Sequence, residues 1–135
     1  MNRSVLLGYQ WLTGVSDTLT GVLLYVAPLF TLQLMGINAV VDASPYVSYI
    51  GAFVLAVGLS GLYGAYAVTS RLRPERLEMV WLLTAFSRAA VTIYVAKSVL
   101  TGALEPAWIT VAAFDGLCVL IQGVGLKRNW IANAY

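Results

Sequence analysis

"GAFVLAVGLSGLYGAYA", Gly51 to Ala67, runs seventeen positions without a charged residue. With its flanks the apolar stretch extends from about Tyr46 to Thr69. Roughly 20 mostly apolar residues are what a helix needs to cross the hydrocarbon core of a bilayer. Three further segments qualify on the same ground: about Gly8 to Phe30, about Leu77 to Leu100, and about Pro106 to Leu126. The fold class read from the sequence is therefore all-α, an integral membrane protein of four spans.

Composition agrees. The 135 residues are 60% hydrophobic and 10% charged, where a soluble domain carries about 25% charged residues. Mean hydropathy is +0.81. The length suits one compact domain covering residues 1–135. A net charge of +2 is too small to point to nucleic acid. The stretch after Arg3 is too long for a signal-peptide core, contains Asp17 and lacks a small-x-small cleavage site. It reads as a retained first span.

The ends of the spans carry local signals. "DASPYV" offers Ser44 as N-cap and Pro45 as first helical residue, and "RLRPER" breaks the chain at Pro74. "ALEPAW" puts Pro106 at the start of the last helix, and Pro28 kinks or ends the first. Arg3, the cluster Arg71, Arg73 and Arg76, and the pair Lys127 and Arg128 all fall at alternate ends of the spans. The first connection, "GINAVVDAS", has no Lys or Arg. Both termini and the middle loop are therefore expected in the cytoplasm. Tyr9, Trp11 and Trp81 fit one interfacial belt, and Tyr46, Tyr49 and Trp108 the other. Short connections favour an up-down-up-down antiparallel bundle.

Close helix packing has a basis in the second span. Ala52, Ala56, Ser60 and Gly64 recur every fourth residue, and Gly61 and Ala65 make a second pair. Small residues at this spacing let backbones approach.

Three charges lie deep inside the spans, whereas Glu78 and Lys97 fall near the ends of the third. At 1.5 Å rise per residue, Asp17, Arg88 and Asp115 each fall within roughly 5 Å of the midplane. A lone charge there costs about 2.5–3.5 kcal/mol on insertion scales. Two acids and one base at a common depth suggest mutual compensation. Arg88 and Asp115 form the preferred pair, because a short loop joins their helices, with Asp17 near enough to share the charge. The surrounding faces are polar or small: Gln10, Thr13, Gly14, Asp17, Thr20 and Gly21 on the first helix, Thr84, Arg88 and Thr92 on the third, and Ala112, Asp115, Cys118 and Gln122 on the fourth. Two readings follow: an internal clasp fixing helix register, or a functional site for proton coupling or for a quinone-like ligand.

There is no histidine, the usual haem and metal ligand, and only one cysteine, Cys118, so no CxxC pair. No nucleophile–base set or phosphate loop is present either. The sequence thus implies no cofactor, no metal and no catalytic residue.

The chain resembles the DoxX-like superfamily of small four-helix membrane proteins. The resemblance rests on Gly14 and Gly21 with Pro28, "LMG" at Leu34–Gly36, the glycine-rich stretch Gly51–Gly64, "FSR" at Phe86–Arg88 and "FDG" at Phe114–Gly116. It implies a small membrane protein of the kind that accompanies oxidoreductases, including a thiosulfate–quinone type. The carboxylate of Asp17 is also similar in position to that in the first helix of small multidrug resistance exporters. Unlike vitamin K epoxide reductases, the chain has no cysteine pair. The resulting expectation is a non-catalytic accessory subunit of a respiratory or electron-transferring complex. It would sit in a bacterial cytoplasmic (inner) membrane, in contact with lipid and other subunits. The alternatives are an oligomeric proton-coupled transporter and a lipid- or quinone-binding protein.

Overall fold

The computed structural model describes residues 1–38 and 41–135. Ala39 and Val40, in the first connection, lie outside the described residues. The protein is all-α, with no strand among the described residues. The described residues form five α-helices in order: α1 Arg3–Val26, α2 Pro28–Leu34, α3 Ser44–Thr69, α4 Pro74–Leu100 and α5 Ile109–Lys127.

Each boundary has a chemical cause. Pro28 has no N–H to donate to the preceding turn, so α1 stops at Val26 and a short second helix starts with Pro28 in its first turn. The sequence-derived first span, 8–30, is therefore two helices. Pro45 and Pro74 occupy the first turns of α3 and α4 in the same way. Ser44, expected as an N-cap, instead lies within the first turn of α3, and its side chain makes no capping bond; Ala43 precedes it. Pro106 opens a single 3-10 turn, Pro106–Trp108, that leads into α5.

The C-terminal ends share a device that sequence reading did not identify. Gly36, Arg71, Gly102 and Asn129 each take a left-handed backbone conformation, with φ of 73°, 50°, 76° and 51°. After α5, Trp130 N–H bonds Gly125 O at 2.9 Å and Asn129 N–H bonds Leu126 O at 3.2 Å. Leu72 and Ile37 close the ends of α3 and α2 on Ala67 O and Leu32 O in the same manner. These are Schellman closures, which satisfy carbonyls that a helix end leaves open.

Two compact units make up the chain: Ser4–Leu72, and Arg73–Tyr135 with Met1–Arg3. In the first, α1 and α3 run antiparallel in close contact. A Cβ placed at Gly14 would lie 2.7 Å from Leu62 N; at Gly58, 2.7 Å from Thr18 Cα; at Gly21, 2.6 Å from Leu55 Cα; and at Gly51, 2.6 Å from Tyr25 N. Contacting positions rise along α1 as they fall along α3. Only glycine fits where the two backbones meet, which is how small residues hold helices together in a membrane. In the second unit α4 and α5 form an antiparallel hairpin.

Among the described residues, three helical segments are long and apolar enough to cross a membrane: Val41–Thr69, Pro74–Leu100 and Pro106–Lys127. A multi-pass membrane protein is the plain reading. Helix α1, at 24 residues, has the length, but Gln10, Thr13, Ser16, Asp17, Thr18 and Thr20 dilute its apolar content. Its buried residues include Leu6, Gln10, Thr13, Asp17 and Leu24, whereas Trp11, Leu12, Leu19, Val22 and Val26 face outward. The polar content of α1 is thus mostly inside and its apolar content outside, as expected of a helix whose surroundings are apolar.

Candidate functional site

The α4–α5 hairpin contains a ladder of paired side chains. Helix α4 buries Leu77, Trp81, Thr84, Arg88, Val95 and Ser98, at alternating three- and four-residue steps broken only between Arg88 and Val95. Helix α5 buries Ala112, Cys118, Gln122 and Gly125. These stripes face each other because the connection between the helices is short.

At one rung Arg88 Nη1 donates a hydrogen bond to Asp115 Oδ1, forming an ion pair. The side chains are 5% and 15% exposed, so little water competes. The ring of Phe114 lies 5.5 Å from the guanidinium carbon, within reach of a cation–π contact. Two consecutive residues of "FDG" therefore hold Arg88, one by charge and one by its π face. Sequence reasoning singled out Asp115 and missed Phe114. The signal available was an aromatic beside the carboxylate at the depth of the arginine. The third residue, Gly116, faces Thr92: a Cβ at Gly116 would lie 3.3 Å from Thr92 Cγ2.

One turn away, Gln122 Nε2 donates to Thr84 Oγ1 at 2.9 Å, and that hydroxyl donates to Val80 O at 2.7 Å. The next rung is apolar. Trp81 is fully buried, and a Cβ at Gly125 would lie 3.2 Å from its Cη2 and 3.0 Å from Trp130 Cε3. Trp81, expected in the interfacial belt, is thus a core residue of the hairpin. Gly125 gives its indole the space it needs.

Asp17 belongs to the other unit, where it is buried on α1 together with Gln10 and Thr13. Of the small-residue stripe on α3, Gly61, Gly64 and Ala65 are buried, Ala52 and Ser60 are half-buried, and Ala56 is exposed. Gly61 meets Gly14 of α1, where a Cβ would come within 2.8 Å of the Gly14 Cα. The other close contacts with α1 come from Gly51 and Gly58, which lie off the stripe read from sequence. Cys118 is a buried free thiol, and the described residues contain no His, Cys, Asp or Glu cluster able to hold a metal ion.

Chemically, the hairpin ladder cancels charge. Arg88 brings a permanent cation and Asp115 its counter-anion, and the two side chains are only 5% and 15% exposed. Comparison with known protein families, curated proteins and solved structures finds no match to this chain.

Proposed function

We propose that this protein is a non-catalytic accessory subunit of a larger membrane complex, of a respiratory or electron-transferring kind, in a bacterial cytoplasmic membrane. The observation that carries this reading is the Arg88–Asp115 pair. These two little-exposed charges of the α4–α5 hairpin are bonded to each other, and the Phe114 ring lies against the guanidinium. Committing both charges to each other fits a structural element that fixes helix pairing. The resemblance to DoxX-like proteins supplies the kind of complex.

The proposed topology has four crossings with both termini in the cytoplasm. Helix α1 contacts α3 from Gly14 to Tyr25, about 16 Å of its length. A partner crossing beside α3 therefore traverses much of the same thickness. Four crossings put Arg3, the Arg71–Arg76 loop and Lys127–Arg128 on one side, as the positive-inside bias demands.

Purification in mild detergent, followed by identification of the co-purifying chains, tests the reading. A stable complex with redox subunits supports it, and a chain that purifies alone as a self-oligomer overturns it. One observation favours a second reading, an oligomeric proton-coupled transporter. Asp17 is 8% exposed in the middle of α1, and buried intramembrane carboxylates mark proton pathways.

A further inference from the structure

We infer that α2 is an uncharged membrane anchor, whose Phe30 and Leu34 face enters the boundary between headgroups and acyl chains in the leaflet where α1 ends. The inference rests on the membrane reading above. Helix α2 does not simply continue α1. Ala27, between the two, has φ −139° and ψ 60°, far from the helical values near −63° and −42°. The axis of α2 therefore departs from that of α1. Both of its ends are fixed. Pro28 sets the first turn, and beyond Gly36, at φ 73°, Ile37 N–H bonds Leu32 O at 2.9 Å. One face is used inside the protein: α2 packs on α3, and Thr31 and Leu32 are buried. The other face is open. Phe30 and Leu34 are four positions apart, hence on one side of the helix, and they are 54% and 66% exposed.

Three observations name lipid as the occupant of that face. The first is depth. A Cβ at Gly51 would lie 2.6 Å from Tyr25 N, so the end of α1 is level with Gly51. Ser44 begins α3 about 10 Å nearer its N-terminus. At 26 residues α3 is about 39 Å long, against about 30 Å of hydrocarbon. Centred in a bilayer, it projects roughly 5 Å at each end. Tyr25 then lies roughly 5 Å inside the hydrocarbon, and α2, which follows it, straddles the edge. The second observation is charge. Residues 18–41 carry none, so nothing in this passage requires water. The third is continuity. Tyr25 and Val26 at the end of α1 are exposed, as are Tyr46 and Tyr49 in the first turns of α3. Exposed aromatics at one level form the belt that sits among headgroups, and the open face of α2 extends it.

An apolar face with no Lys or Arg binds a bilayer through buried area, without selecting anionic lipid. Helix α2 therefore does not choose a headgroup. It fixes the depth and rotation of the α1–α3 pair, as interfacial anchors do.

The test uses the full chain in phosphatidylcholine vesicles, with one spin label at a time at Phe30→Cys, Leu34→Cys, Phe53→Cys or Asp42→Cys. All four side chains are exposed, so replacement removes little packing. The native Cys118 is buried and should not react; the chain without an added cysteine verifies this, and helical circular dichroism verifies each fold. Collisions with oxygen report lipid, and collisions with a water-soluble nickel chelate report water. Labels at 30 and 34 should show an oxygen-to-nickel ratio several-fold above that at 42. Their depth should be about 5–10 Å below the headgroups, shallower than at 53. Exchanging half of the lipid for phosphatidylglycerol should leave both depths unchanged. Nickel-dominated collisions at 30 and 34, with the label at 53 in lipid, would put α2 in water and overturn the anchor while the membrane reading stands. Labels at 30 and 34 screened from both reagents would mean that a second copy or another protein covers the face, and would overturn lipid as its occupant. Depths that change with phosphatidylglycerol would overturn an uncharged anchor. Water at all four positions would overturn the membrane reading and the inference with it.

Discussion

Arg88 on α4 donates a hydrogen bond to the carboxylate of Asp115 on α5, in the interior of a helical hairpin. Removing either partner strands the other. A broken buried pair typically costs about 3–5 kcal/mol, and the insertion cost of a lone central charge is of similar size. Arg88→Ala and Asp115→Ala should each lower the melting temperature and yield of the folded protein. Arg88→Leu combined with Asp115→Leu should recover much of the loss, because an apolar pair leaves no charge unpaired. Thermal melts of the three variants in one detergent check this. A double variant no better than the singles would mean that the pair is not an isolated two-body contact.

Gly58 faces Thr18 so closely that an added methyl would sit 2.7 Å from the Thr18 Cα. The obstacle is backbone and cannot rotate aside. Gly58→Ala should therefore destabilise by about 1–3 kcal/mol, the usual cost of overpacking. Gly8, in α1, has nothing within 4 Å of such a methyl. Gly8→Ala should be neutral or stabilising by up to about 1 kcal/mol, because alanine is the better helix former. The opposite order of melting temperatures would contradict the α1–α3 register.

Trp81 is fully buried, with its ring against Gly125. Trp81→Ala should cost about 3–5 kcal/mol, as large-to-small core substitutions do. Its indole should also be shielded: quenchers carried on lipid chains should reach Trp11, which is 52% exposed, more readily than Trp81. Single-tryptophan variants measured by fluorescence quenching would distinguish a core indole from an interfacial one.

Much of this was legible in the residues, and what was not has a physical reason. The existence of long apolar helices follows from composition and length alone. The facing stripes on α4 and α5 follow from helical period plus a short connection, which together leave Arg88 and Asp115 few other places to point. The glycine contacts were only half legible. Period-four spacing marks Ala52, Ala56 and Ser60 as readily as Gly51 and Gly58, but closeness depends on the crossing geometry of α1 and α3, which spacing does not encode. Trp81 misled for a related reason: an aromatic near a helix end suits an interface as well as a core. Gly125, which makes room for it, lies 44 positions further along the chain.

Topology gives a direct test of the four crossings. Reporter fusions placed after Thr69 and after Tyr135 should both report the cytoplasm. If the two report opposite sides, the Lys and Arg clusters do not share a compartment, and the crossing assigned to α1 or to another helix is wrong.

Asp17 separates the two functional readings. It is buried on α1 beside Gln10 and Thr13, on the face that carries the helix's polar residues. Asp17→Asn preserves shape and hydrogen-bonding capacity while removing the negative charge and the titrating proton. Because Arg88 keeps Asp115, the α4–α5 pair survives, and the loss of stability should be smaller than in Arg88→Ala. If the protein is an accessory subunit, the Asn variant should assemble with its partners and leave their activity largely intact. If it is a proton-coupled transporter, the same change should abolish proton-driven flux in vesicles while leaving folding and oligomeric state unaltered. Measuring assembly and flux on the same variant decides the matter: intact assembly with no proton flux in either form upholds the subunit, and flux lost on substitution overturns it.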